Sequence, residues 1–120
     1  MRIIIVLAAL LMASLAPNGG ALAHAMLSQA VPAVGSTVPT SPGKIVLSFT
    51  ESLEPAFSGI EVRDAAGQRV DSGKATLGAS KNQLQVPLKR LTPGTYTVIW
   101  HVLSVDTHKT EGNFTFKIGP

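Results

Sequence analysis

From Lys44 to the C-terminus, apolar and polar residues alternate in short runs divided by turn signals, and nothing else in the chain constrains its fold as much. A period of two puts successive side chains on opposite faces of a strand, so each run buries one face and wets the other. Lys44–Thr50 would bury Ile45, Leu47 and Phe49, and Gly59–Arg63 would bury Ile60 and Val62. Asp64-Ala65-Ala66-Gly67 has turn chemistry, after which Gln68–Asp71 reads as a short returning strand. Gln83–Leu88 groups Leu84, Val86 and Leu88 on one face. The turn Thr92-Pro93-Gly94 leads into Thr95–Leu103, whose inward stripe is Tyr96, Val98, Trp100 and Val102. Asn113–Ile118 closes the chain with Phe114, Phe116 and Ile118 inward. No stretch beyond residue 23 shows a helical period. The pattern predicts an all-β fold of about seven strands, a Greek-key β-sandwich in one domain spanning residues 24–120.

Residues 1–23 are of another kind. Arg2 is the only charge before Lys44, and Ile3–Leu15 is apolar apart from Ser14. Pro17-Asn18-Gly19-Gly20 breaks any helix, and Ala21-Leu22-Ala23 supplies the small-x-small pattern of a cleavage site. The apolar run is shorter than the about 20 residues a transmembrane helix needs. The segment therefore reads as a secretory signal cleaved after Ala23, which sends the chain to a periplasm or the extracellular space with His24 as its first residue. Small exported domains usually rely on disulfides, yet this sequence has no cysteine. Packing alone must hold it, which favours a compact sheet structure. The same absence removes zinc–thiolate, iron–sulfur and blue-copper sites and any thiol nucleophile. Charged residues make up 14% of the chain, with a net +3 and no basic stripe, which argues against nucleic-acid binding.

The sequence has three histidines, and position makes one unusual. Cleavage before His24 creates a free α-amine beside its own imidazole, so one residue offers two nitrogen ligands. That amine has a pKa of about 7.7–8.0 and yields its proton readily to a metal near neutrality. The competing reading is a loose chain end. The second feature is Asp106-Thr107-His108, just past a strongly apolar strand. A spacing of two in extended chain turns a carboxylate and an imidazole the same way; the competing reading is a loop Asp in a local turn beside a solvated His. Taken together, the His24 amine, the His24 imidazole, His108 and Asp106 make three nitrogens and one oxygen. A tetragonal N,O set without sulfur suits Cu(II) better than zinc or iron, with Ni(II) and Zn(II) chemically allowed. Spacing alone does not bring residue 24 to residues 106–108. His101 falls opposite the Tyr96–Trp100 stripe and reads as exposed, Trp100 as a core anchor, and Lys109 and Glu111 as loop charges.

Several runs carry a family resemblance: His24-Ala25-Met26-Leu27 after a signal ending in Ala, Pro32-Ala33-Val34-Gly35-Ser36, Lys44–Glu51, Leu91–Val98, Trp100–His108 and Gly112–Phe116. The most specific are the N-terminal His and the W-x-V-x-S-x-D-x-H run. Over essentially all of residues 24–120 the chain resembles the CopC-type periplasmic copper-binding proteins of copper resistance and homeostasis. The resemblance implies a cupredoxin-like or Ig-like barrel holding one Cu(II) per chain, with His24 (amine and imidazole), Asp106 and His108 as ligands. It also implies that Glu51, by its place after Phe49-Thr50, orients the His24 amine through a hydrogen bond; Glu54 is the other acid within reach of that role. In related systems the expected partner is a CopD-type inner-membrane copper transporter.

One departure matters. Some members of that family hold Cu(I) on a Met-rich loop with a His, whereas residues 24–120 contain a single methionine, Met26, and Glu51–Gly59 has neither Met nor His. The expectation is a Cu(II)-only form, with Met26 packing at the edge of the core. Function then reads as a non-enzymatic copper carrier or buffer. The alternatives are a histidine-brace copper oxidase or monooxygenase, which the small size and scarce exposed aromatics disfavour, and a metal-free exported sandwich serving interactions.

Overall fold

A computed structural model describes residues 24–120; the signal-peptide reading of residues 1–23 lies outside the described residues. Eight strands follow in order: β1 (Leu27–Val31), β2 (Thr37–Val38), β3 (Lys44–Phe49), β4 (Gly59–Arg63), β5 (Thr76–Leu77), β6 (Gln83–Pro87), β7 (Gly94–Leu103) and β8 (Lys109–Ile118). They form two four-stranded sheets, β1-β3-β6-β5 and β2-β8-β7-β4. Only β5–β6 and β7–β8 join sheet neighbours directly. Every other connection crosses from one sheet to the other, as in a Greek-key sandwich.

Alternation decides which face each strand buries. Ile45, Leu47 and Phe49 of β3, Leu84 and Val86 of β6, Ile60 and Val62 of β4, and the Tyr96–Val102 stripe of β7 all lie in the core, as do Phe114, Phe116 and Ile118 of β8. Phe49 meets Trp100 edge-on across the sheets at 5.1 Å, and Tyr96 stacks on Phe116 at 5.6 Å. The Tyr96 hydroxyl reaches back to the Thr92 carbonyl (2.5 Å), a polar handle that fixes the entry of β7 as tyrosine corners do in other sandwiches. Trp100 and His101 fall where the alternation puts them, one buried and the other exposed.

The structure departs from the sequence reading at several places, each for a local reason. β1 buries only Ala30 fully, so it leaves no alternating signature. Gln68–Asp71 is not a strand; it makes only the isolated bridges Arg63–Arg69 and Asp71–Leu88. The last strand starts at Lys109, four residues before the apolar run, so Lys109 and Glu111 are strand residues rather than loop charges. Gly112 hid this extension, and packing explains its presence. It pairs with Trp100, and a Cβ there would sit 2.6 Å from the indole Cζ2. Gly112→Ala is therefore expected to destabilise the fold by about 1–3 kcal/mol, the usual range for overpacking. Denaturant unfolding followed by fluorescence of the single tryptophan measures this directly; an unchanged midpoint would show that the indole has room to move.

Candidate metal centre

The β7–β8 connection, the end of β3 and the N-terminal segment meet at one end of the sandwich. Residues 24–26 are held from two sides. Thr50, just past β3, donates its hydroxyl to the His24 carbonyl (3.2 Å) and accepts the Met26 amide on the same oxygen (2.9 Å). The Thr50 amide also donates to the Met26 carbonyl (2.9 Å). From β8, the Thr110 hydroxyl donates to the Ala25 carbonyl (2.8 Å). Ala25 is fully buried between these anchors, so His24 is tied to the body of the fold and is not a loose end.

This clamp brings the His24 ring to 4.8 Å from the His108 ring, at an interplanar angle of 71°. His108 ends the loop 104–108, which is organised around Ser104. That residue is completely buried and bridges to Leu53. Its amide donates to the His108 carbonyl (3.0 Å) and its carbonyl accepts the Thr107 amide (2.8 Å). Its hydroxyl accepts the His108 amide (3.3 Å) and donates to Asp106 Oδ1. Thr107 sits at φ +72°, a left-handed conformation that β-branched residues rarely adopt. Such strain persists only where surrounding contacts over-determine it, commonly at functional sites.

Asp106 Oδ1 lies 3.3 Å from His108 Nδ1. Nδ1 is nevertheless buried without a hydrogen-bond partner among the described residues. The Ser104 hydroxyl holds the Asp106 carboxyl below the usual carboxylate range; desolvation opposes this, and His108 acts in the same direction as Ser104. The loop thus presents an ionised carboxylate and an unused imidazole nitrogen side by side. Two atoms bound to one ion at about 2.0–2.1 Å stand about 2.9 Å apart at a right angle and about 3.4 Å apart at a tetrahedral one. The observed separation falls in that range, so this pair has the spacing of two ligands of one ion. The donor set is nitrogen and oxygen only, the kind that suits Cu(II).

The three ligand residues expected from the sequence are brought together in part. His24 meets His108 and His108 meets Asp106, a chain of two contacts. No group of three or more His, Cys, Asp or Glu side chains among the described residues is gathered closely enough to hold an ion by itself. The remaining donor of the expected set is a main-chain nitrogen, that of His24. Glu51 is half-buried and Glu54 exposed, and neither carboxylate makes a hydrogen bond or ion pair among the described residues. Met26 corrects an expectation: it is 60% exposed, not packed at the core edge. Its amide and carbonyl are both bonded to Thr50, and with Ala25 turned inward the next side chain must turn out. Sequence reasoning missed Thr50, Thr110 and Ser104. Ser104 left a trace as the serine of the W-x-V-x-S-x-D-x-H run, and Thr50 only as the residue before Glu51.

Comparison with known proteins agrees with the two-sheet fold. The family described as the CopC domain matches residues 27–119, starting three residues after His24. Protein YobA of Escherichia coli (strain K12) is 43% identical over 102 residues, covering 80% of this chain and 79% of its own. The crystal structure of CopC from Methylosinus trichosporium OB3b superposes with a TM-score of 0.75 at 35% identity, covering 81% of this chain and 95% of that one. PcoC, described as a methionine-rich copper resistance protein from Escherichia coli, gives 0.72 at 34% identity, covering 80% and 99%.

Proposed function

The chain belongs to the CopC family, whose copper-related function it shares, and from that premise we propose that it carries or buffers one Cu(II) ion outside the cytoplasm. The ligands are the His24 amine and imidazole, Asp106 and His108, with copper as cargo rather than as a resident catalytic group. The observation that carries this reading is the meeting of His24 with His108, whose buried Nδ1 has no hydrogen-bond partner among the described residues, beside the Asp106 carboxylate. Export, cleavage after Ala23 and delivery to a CopD-type membrane protein complete the proposal. In this proposal Glu51 orients the His24 amine through a hydrogen bond.

The chemistry gives the site a direction. Imidazole, amine and carboxylate hold Cu(II) well, whereas Cu(I) prefers thioether and thiolate sulfur. The only sulfur in residues 24–120 is Met26. Reduction therefore weakens the hold and favours release to a partner with softer ligands. A titration of the chain beginning at His24 is expected to saturate at one Cu(II), with nitrogen hyperfine structure in its paramagnetic spectrum, and to lose that copper to a Cu(I) chelator on addition of ascorbate. Non-saturable binding, or equal affinity for Cu(I), would overturn the carrier reading. Sustained turnover of ascorbate with oxidised product would transfer the site to the oxidative alternative.

A further inference from the structure

We propose that Ser104 is the positioning residue of the copper centre, setting Asp106 and His108 at once through a single buried hydroxyl. The proposal rests on the copper reading above and adds a residue that neither ligand chemistry nor family membership assigns. Ser104 is one of only two buried polar or charged residues among the described residues, with no exposed surface at all. A buried hydroxyl needs partners, and this one has them on both sides of the D-x-H triplet: it donates to Asp106 Oδ1 and accepts the His108 amide (3.3 Å). The His108 carbonyl, 3.2 Å away, is its more distant acceptor.

The geometry makes the hydroxyl a gauge for the triplet. Residues 106 and 108 are separated by Thr107 at φ +72°, so plain extended chain does not set their relative direction. Ser104 sets it instead: its main-chain groups pin the Thr107 amide and the His108 carbonyl, and its side chain pins the Asp106 carboxylate. Ser104 is itself fixed to the neighbouring segment by its bridge with Leu53, and the Val105 amide donates to the Ser52 carbonyl (3.0 Å). The carboxylate oxygen held by Ser104 is the one that stands 3.3 Å from His108 Nδ1. Removing the hydroxyl frees Asp106 to swing away while leaving every ligand atom in the chain.

The test uses the chain beginning at His24, as wild type, Ser104→Ala, Asp106→Ala and the double variant, in competition titrations with a chromophoric Cu(II) chelator and by paramagnetic resonance. Ser104→Ala is expected to weaken Cu(II) binding about 10- to 100-fold, the usual effect of removing a partner that orients a ligand, and to shift the d–d band and the copper hyperfine coupling. In the Asp106→Ala background the same change should weaken binding by much less, because the hydroxyl acts largely through that carboxylate. A merely structural serine would lower thermal stability in both backgrounds, add its effect fully and leave the spectrum of the bound ion unchanged; that result overturns the proposal. In the metal-free wild type, the Ser104 hydroxyl proton should exchange slowly and show a magnetic-resonance cross-peak to the Asp106 methylene. Its absence overturns the proposal however the alanine variant folds. A wild type that fails to take up one Cu(II) on nitrogen ligands would overturn the copper reading and this inference together. An intact wild type beside an unaltered Ser104→Ala would remove only the role of Ser104.

Discussion

A single residue added ahead of His24 is expected to lower Cu(II) affinity about a thousandfold, or about 4 kcal/mol, without changing the melting temperature of the metal-free protein. The extra residue converts the α-amine into an amide, whose nitrogen lone pair is delocalised into the carbonyl and binds a metal only at the cost of losing the amide proton. Little else changes. His24 is exposed, so an additional residue has solvent to enter, while Ala25 and Met26 stay clamped by Thr110 and Thr50. The imidazole therefore remains beside His108, and the loss isolates the amine from the rest of the site. Competition titration of the mass-verified native and extended forms measures the ratio. Equal affinities would remove the amine from the ligand set and leave a weaker site of two imidazoles and a carboxylate. The same experiment tests whether signal cleavage is what completes the centre.

The clamp at residues 24–26 marks where sequence reading ends. Strands β3 and β7 and the second half of β8 were legible because each buries one face on alternate residues. β1 was not, because it lies at a sheet edge with one fully buried side chain, and β5 was too short to carry a pattern. The chemistry-bearing residues stood out by type and position: a histidine after a cleavage signal, and a carboxylate two places from an imidazole. Their convergence was not legible from spacing. It depends on the Thr110 hydroxyl meeting the Ala25 carbonyl across 85 positions of sequence, and threonines are too common for one to announce such a role. The family resemblance supplied the convergence that periodicity could not. It also directed attention to acids near the amine, while the contacts that hold the N-terminal segment come from hydroxyls.

Asp71, which no sequence pattern singled out, carries the second large expectation: Asp71→Ala should destabilise the protein by about 2–3 kcal/mol at neutral pH. The carboxylate is buried and fastens the segment 69–71 to β4. Its Oδ2 accepts the amide of Val62 in the middle of β4 (2.9 Å), and both oxygens accept from Arg69 (3.2 and 2.8 Å). Its main chain bridges to Leu88, the residue just after β6 of the other sheet. Alanine would strand the Val62 amide inside the fold, an omission worth about 1–3 kcal/mol. Arg69 is 52% exposed and rehydrates on losing its partner, so no buried charge adds to the cost. For a domain of this size the change lowers the melting temperature by roughly 10–20 °C. The pH dependence has a definite sign. Burial pushes the Asp71 carboxyl up, but the hydrogen bond from Arg69, the Val62 amide and the Arg69 charge outweigh it, and the folded-state pKa falls below the ordinary value. A carboxyl with a depressed folded pKa contributes its full stability above the unfolded value of about 3.9, and loses it as pH falls through the folded value. The gap between wild type and Asp71→Asn, which keeps the shape without the charge, should therefore be widest near neutrality and shrink in acid. Thermal melts of both proteins from pH 7 down to pH 2 measure that gap, and a gap that stays constant with pH would mean that shape rather than charge gives the Asp71 side chain its hold on β4.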